Sequence, residues 1–154
     1  MKRNFEKFNV KIGEESFECN PEVELNMDET TINDDLKDQP SWFAWYATLA
    51  EKADSQYQEA KFILDVVEAE VDAEIRSGEG KKPTEAQIKA QIILDDRYQK
   101  AKMEMIEAKK LVGILKAVTE AFRHRKETLI ALASNMRVQS DPEIFIKKQE
   151  YERE

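Results

Sequence analysis

Residues 97–137 read RYQKAKMEMIEAKKLVGILKAVTEAFRHRKETLIALASNMR. Their apolar side chains recur at the heptad spacing of a helix that packs lengthwise against another helix. One heptad core position holds Ala108, Leu115, Phe122, Leu129 and Met136, and the other holds Leu111, Val118, Arg125 and Leu132. Since proline is absent from this stretch, we predict one long α-helix with coiled-coil-like packing.

An earlier amphipathic pattern supplies the packing partner of this helix. Between Trp42 and Ile75, apolar residues follow one another at steps of three and four, which places them on one helical face. Ser41 precedes the pattern and is a suitable N-cap residue, so the first helix is expected to begin there. The two patterns together predict a mostly α fold built on a long antiparallel helical hairpin.

The connection between the two helices is expected to be a short turn. Residues 77–83 contain two glycines and a proline, which commonly end helices. Thr84 and Gln87 then have the spacing of a capping box, which marks the start of the second helix. Asp95 and Asp96 interrupt the apolar pattern of this helix, so a break or a kink can occur at that point.

The segments on either side of the helical hairpin have different patterns. Apolar and polar residues alternate in 8–12 and 17–19 around Gly13, which predicts a small β-hairpin, and the alternation returns at 23–27. The residues that follow, up to Gln39, are acidic and are expected to form a loop. We therefore divide the chain into an N-terminal β-hairpin and acidic arm (1–40), a long helical hairpin (41–137) and a short C-terminal helix or tail (138–154).

Charge is distributed unevenly along the chain. The net charge is −8, yet residues 1–80 carry a net charge of −12 and residues 97–137 carry a net charge of +6. Because a polyanion responds to the local charge, an acidic protein with one basic helix is compatible with a nucleic-acid partner. The basic helix is therefore the first candidate for a binding surface.

The cations of the basic helix also follow the heptad. Those spaced by multiples of seven are Lys102, Lys109, Lys116, Arg123 and Arg137. They share an outward position beside the apolar seam, and Lys126 widens this face. In several assembled copies, such a stripe would form a positive track for a phosphate backbone. The alternative is a solvated face in which Lys116 pairs with Glu120 and Arg123 pairs with Glu127.

The second helix is expected to be longer than the first by about 25 Å. A hairpin of unequal helices leaves part of the apolar seam uncovered, which predicts a homo-oligomer. Arg125 lies on a core position, where it must be paired or must line a wet oligomer interior. The expected oligomer interface consists of Trp42, Trp45, Tyr46, Leu111, Leu115, Val118, Phe122, Leu129 and Leu132.

Catalysis has little support in the sequence. The chain has one histidine, His124, and one cysteine, Cys19, and it lacks a glycine-rich phosphate loop. Its carboxylates are not accompanied by a Glu-x-x-His pair, which favours solvated acidic faces over a metal site. No segment has the pattern of a signal peptide or a membrane span. We predict a non-enzymatic, soluble, cytoplasmic protein without metal or cofactor.

Four elements follow one another along the chain. They are Trp42-x-x-Trp45-Tyr46, the segment 61–76 with the turn at Ser77-Gly78, Ile92-x-x-Asp95-x-x-Tyr98, and the segment 125–137. This order resembles the UvsY family of phage recombination mediators, which load a recombinase onto single-stranded DNA covered by single-strand-binding protein. The resemblance implies a ring-like homo-oligomer, such as a heptamer, in the cytoplasm of a bacterial host cell. It also implies contacts with single-stranded DNA, the recombinase and the single-strand-binding protein.

The resemblance also directs attention to the turn between the helices. In the UvsY family a basic patch precedes this turn, whereas residues 71–76 here read VDAEIR and only Arg76 matches in charge. We predict that DNA is bound by Arg76, Lys81, Lys82, Lys102, Lys109, Lys116, Arg123, Arg125, Lys126 and Arg137. The alternative function is that of a non-enzymatic structural or adaptor protein, such as a phage virion or assembly component or an acidic helical inhibitor.

Overall fold

The computed structural model describes residues 7–78, 80 and 82–140 of the chain. Their elements, in chain order, are β1 (Phe8–Ile12), β2 (Glu15–Cys19), α1 (Pro21–Glu24), α2 (Ile32–Ser77), α3 (Glu85–Leu94) and α4 (Asp96–Ser140). The prediction of a mostly helical fold with a small N-terminal β-hairpin and a long helix pair is therefore confirmed. Of the predicted C-terminal helix or tail (138–154), residues 138–140 belong to α4, and the remaining residues lie outside the described ones.

The β-hairpin forms where the alternating pattern predicts it. β1 and β2 pair in a two-stranded sheet, and Gly13 between them has a φ of +59°, which glycine adopts without strain. Val10 and Cys19 are the buried residues of the two strands. The alternation at residues 23–27 does not form a third strand, because Pro21 stands at the first turn of α1, where its fixed φ favours a helix.

Helix α2 begins earlier than the sequence pattern indicates. Its first residue is Ile32, so the predicted acidic loop is largely helical and the predicted start at Ser41 is wrong. Asp34 and Asp35 lie in the first turn, where carboxylates interact favourably with the helix dipole. Pro40 is inside the helix although it supplies no N–H group, and its position is exposed.

The second helical pattern is divided into two helices. The predicted capping box at the start of α3 is confirmed, since Gln87 N donates to Thr84 Oγ1 at 3.3 Å and Thr84 N donates to Gln87 Oε1 at 2.9 Å. Asp95 has an extended backbone and separates α3 from α4, which confirms a break at this position. The Asp95 carboxylate also accepts a hydrogen bond from Arg97 N at 2.9 Å, within the first turn of α4.

The chain comprises two compact units. The described part of the first, which we call the terminal unit, contains residues 7–9, 18–47 and 117–140, and the second, the central unit, contains 10–17 and 48–116. In the terminal unit, the first part of α2 packs on the last part of α4, with Tyr46 stacked on Phe122. In the central unit, Val71 of α2 packs with Ile88 and Ile92 of α3.

Helices α2 and α4 have nearly equal lengths of 46 and 45 residues. The expectation that the second helix is much longer than the first is therefore wrong, because α2 begins before Pro40 and α4 begins only after Asp95. The heptad residues Leu115, Phe122 and Leu129 are buried within a single chain. The apolar seam at these positions is covered intramolecularly and does not require a second copy.

Candidate nucleic-acid interface

The central unit contributes three cations of the heptad stripe, all on α4. Lys102, Lys109 and Lys116 are exposed to solvent. Lys116 Nζ lies 3.1 Å from Asp54 Oδ1 on α2. Among the described residues, no carboxylate is within salt-bridge distance of Lys102 or Lys109. These two lysines are therefore the members of the stripe in this unit whose charge has no neutralising partner in the described part of the chain.

The terminal unit carries the remaining cations of the stripe. Arg123, Lys126 and Arg137 are exposed, and Arg123 Nη1 lies 3.1 Å from Glu120 Oε2. The structure therefore pairs Arg123 with the preceding turn rather than with Glu127. Within residues 7–78, 80 and 82–140, neither Lys126 nor Arg137 forms a salt bridge.

The predicted cations near the inter-helical turn differ in their availability. Arg76 is held by Asp72 at 2.7 Å and by Glu85 through two hydrogen bonds of 2.8 and 2.9 Å. These bonds to the guanidinium lower the pKa of Glu85 below its ordinary value, so its carboxylate remains charged. Lys82 is exposed, and Lys81 lies outside the described residues. The carboxylates of Asp72 and Glu85 thus neutralise the charge of Arg76, whereas Lys82 is exposed.

Arg125 does not belong to the DNA-binding surface, contrary to the sequence-based prediction. Its side chain is only 4% exposed. Nη2 donates to Asp35 Oδ1 at 2.7 Å and to Asn26 O at 3.0 Å, and Nη1 donates to Gln39 Oε1 at 2.8 Å. A further, longer bond of 3.4 Å joins Nε to Leu25 O. A guanidinium enclosed in this way cannot reach a phosphate, and the pairing expected for a core cation is what the structure shows.

The aromatic residues predicted at an oligomer interface largely form an intramolecular core. Tyr46 stacks on both Trp42 and Phe122, with ring-centroid distances of 6.5 and 5.1 Å, and these two rings also stack on each other at 6.0 Å. The Tyr46 hydroxyl donates a hydrogen bond to Glu24, and burial together with this bond raises the pKa of Tyr46 above its usual value. Because Tyr46 and Phe122 are already buried, they have no surface to offer to a second copy.

The other predicted interface residues show a range of burial. Leu115 and Leu129 are fully buried within one chain, so they too are corrected to core residues. Trp42 and the second set of heptad positions, Leu111, Val118 and Leu132, are half-buried. Trp45 keeps 42% of its surface exposed. Five of the nine predicted residues therefore keep accessible surface that could contact another molecule, namely Trp42, Trp45, Leu111, Val118 and Leu132.

The central unit exposes apolar side chains that the sequence analysis did not identify. Phe62 on α2 is 68% exposed, and Ile63 and Val66 beside it are also exposed. Met103 and Ile106 are exposed on α4. The sequence did contain a sign of this exposed apolar surface. Phe62 and Val66 lie one turn apart, and they are off the helical face that carries Leu64 and Val71.

A cleft in the terminal unit lies between the first part of α2 and the last part of α4. Its volume is about 550 Å³. Its apolar lining comes from Leu36, Pro40, Phe43 and Ile130, and its polar and charged lining comes from Gln39, Arg123, Lys126 and Glu127. We call it the Phe43 cleft. Two of the predicted DNA-binding cations, Arg123 and Lys126, therefore line the same cleft as an aromatic ring.

No family model, curated protein or solved structure matches this chain.

Within the described residues, the structure contains no group of three or more His, Cys, Asp or Glu side chains arranged to hold a metal ion. None of the helices in this part of the chain has both the length and the apolarity needed to cross a membrane. Burial raises the pKa of the Cys19 thiol above its ordinary value, which disfavours the thiolate form that acts as a nucleophile.

Proposed function

We propose that this protein binds single-stranded DNA through the cations of α4. It would act without catalysis as a recombination mediator, which is the role that its resemblance to the UvsY family implies. The observation that carries the proposal is the exposure of Lys102 and Lys109 without a carboxylate partner among the described residues. Unpaired lysines attract phosphates by a mechanism that does not depend on base sequence. In this role the protein would help to load a recombinase onto strands covered by single-strand-binding protein.

Self-association is the second part of the proposal. The exposed apolar residues Phe62, Ile63 and Val66 support it, because they lie within about one turn of each other on α2, and adjacent apolar side chains left in water are typical of protein contact surfaces. Each added copy would repeat the lysines of α4, so a ring of copies, such as a heptamer, would present many phosphate contacts to one strand. The acidic remainder of the surface would then be available to basic regions of the recombinase and of the single-strand-binding protein.

We expect Lys102→Gln/Lys109→Gln to weaken binding to an oligo-dT strand at low salt. Two fewer phosphate contacts per subunit should reduce the slope of log K against log salt by about 1.4 for each engaged subunit. Fluorescence anisotropy over a series of salt concentrations measures both quantities. The matched control is Lys61→Gln/Lys89→Gln, which changes the net charge of the same unit equally at exposed positions of α2 and α3.

The control separates a located binding surface from a general charge effect. If both double variants lose affinity equally, the binding follows net charge and the assignment to α4 is wrong. If the wild-type protein does not bind oligo-dT at low salt, the proposed DNA-binding function is abandoned.

A structural or adaptor role is the second candidate function. It is supported by the pairing, within one chain, of Lys116 with Asp54 and of Arg123 with Glu120, because cations already paired with carboxylates are less available to phosphates. Charge reversal at Lys109 and Lys116 distinguishes the two functions. A mediator should keep its assembly in light scattering and lose DNA, whereas a scaffold held together by these lysines should dissociate.

A further inference from the structure

The Phe43 cleft combines features that the phosphate-binding surface on α4 does not explain. Its volume of about 550 Å³ is in the range of small-molecule sites. Phe43 is half-buried, so part of its ring remains accessible within a lining that includes Leu36 and Ile130. Arg123 and Lys126 border this apolar surface. An aromatic ring beside cations is the combination with which proteins hold the bases of single strands.

We propose that the Phe43 cleft accepts one nucleobase of a bound single strand, stacked on Phe43, while Arg123 and Lys126 contact the adjoining phosphates. The proposal rests on the proposed DNA-binding function and adds a second kind of contact to it. The three ionisable lining residues are Arg123, Lys126 and Glu127, which together carry a net charge of +1. Lys126 forms no salt bridge in the described part of the chain, and Arg123 would exchange its half-exposed partner Glu120 for a phosphate. Glu127 Oε2 lies 3.6 Å from His124 Nδ1.

The uncharged polar lining of the cleft offers little with which to distinguish one base from another. Gln39 is its only uncharged polar side chain among the described residues, and both ends of its amide are already used. Its Nε2 donates to Phe122 O at 2.5 Å, and its Oε1 accepts from Arg125 at 2.8 Å. Because Gln39 is also only 3% exposed, its amide is not available to read a base edge, and the main contact expected with the base is stacking on its face.

The same hydrogen bonds preform the cleft. Gln39 is buried and connects α2 to α4 through Phe122 O and Arg125, which lie next to the turn that carries Arg123 and Lys126. The backbone positions of the cleft residues are thus set before a ligand arrives, which lowers the entropic cost of binding.

The test compares an oligo-dT strand with an abasic strand of the same length, which keeps the sugar-phosphate chain and lacks the bases. We expect the wild-type protein to bind oligo-dT at least about fivefold more tightly in fluorescence anisotropy, which corresponds to stacking of one base. Phe43→Leu keeps an apolar side chain in the cleft but removes the aromatic face, so it should abolish this preference and leave the affinity for the abasic strand unchanged. Phe43→Tyr should retain the preference.

Each other outcome has a definite meaning. Equal wild-type affinity for the two strands overturns the base-binding cleft and leaves phosphate binding intact. If Phe43→Leu keeps the preference for oligo-dT, the bases bind at another surface and the cleft is a site for a protein segment. This result also overturns the proposal. Absence of binding to either strand overturns both this inference and the proposed function.

Discussion

Replacement of Arg125 with leucine is expected to lower the free energy of unfolding by about 3–5 kcal/mol, because it breaks a buried ion pair by removing one partner. Asp35 would keep a carboxylate that is only 21% exposed and has lost its cation. Gln39 Oε1 and the carbonyl of Asn26 would lose their donors. Buried acceptors without donors are costly, so several penalties add to the loss of the pair itself.

Arg123→Leu is the matched control, since it makes the same change two residues away at a side chain that is 58% exposed. Its effect should remain within about 0.5 kcal/mol. Urea unfolding followed by far-ultraviolet circular dichroism measures both variants, at more than one protein concentration because self-association shifts apparent stability. Equal stability of the two variants would show that Arg125 is not a buried structural residue and would return it to the list of DNA contacts.

A double-mutant cycle tests the origin of the Arg125 effect. Asp35→Leu alone should also be strongly destabilising, because it leaves the guanidinium buried without its carboxylate. If the two side chains act as a pair, Asp35→Leu/Arg125→Leu should lose clearly less stability than the sum of the single variants. Additive losses would mean that Arg125 is held mainly by Gln39 and the backbone carbonyls.

Local rules predicted those parts of the fold that depend on residues close together in the chain. The capping box at Thr84 and the break at Asp95 involve neighbours within one turn, and both are confirmed. The β-hairpin required only an alternating pattern and a glycine at the turn. The start of α2 was missed because Pro40 and the acidic residues before it are typical of a loop. Long-range contacts override that preference.

These long-range contacts also explain why the candidate site was only partly predictable. Gln39 contacts Arg125, which is 86 positions away in the sequence, and no local pattern indicates this pairing. The heptad showed that Arg125 occupies a core position but gave no partner for it. Exposure of Lys102 and Lys109 did follow from the heptad, because residues opposite or beside an apolar seam remain in water. The Phe43 cleft depends on α2 starting at Ile32 and was therefore invisible in the sequence.

Replacement of Phe122 with alanine is the second change with a large expected effect, a loss of about 3–5 kcal/mol of unfolding free energy. Phe122 is 0% exposed. Its ring stacks on Trp42 and Tyr46 at centroid distances of 6.0 and 5.1 Å. Alanine would leave a cavity beside two large aromatic rings and would remove both stacking contacts. A close-packed core relaxes only partly around such a void.

Phe62→Ala makes the same substitution at an exposed position of α2 and separates folding from self-association. Since Phe62 is 68% exposed, its removal should change the unfolding free energy of a subunit by no more than about 0.5 kcal/mol. If the exposed apolar residues of the central unit join copies, Phe62→Ala should instead lower the particle mass in light scattering. Phe122→Ala could instead reduce the particle mass and leave the stability of the subunit unchanged. That result would place Phe122 between copies and would contradict its assignment to the core of one chain.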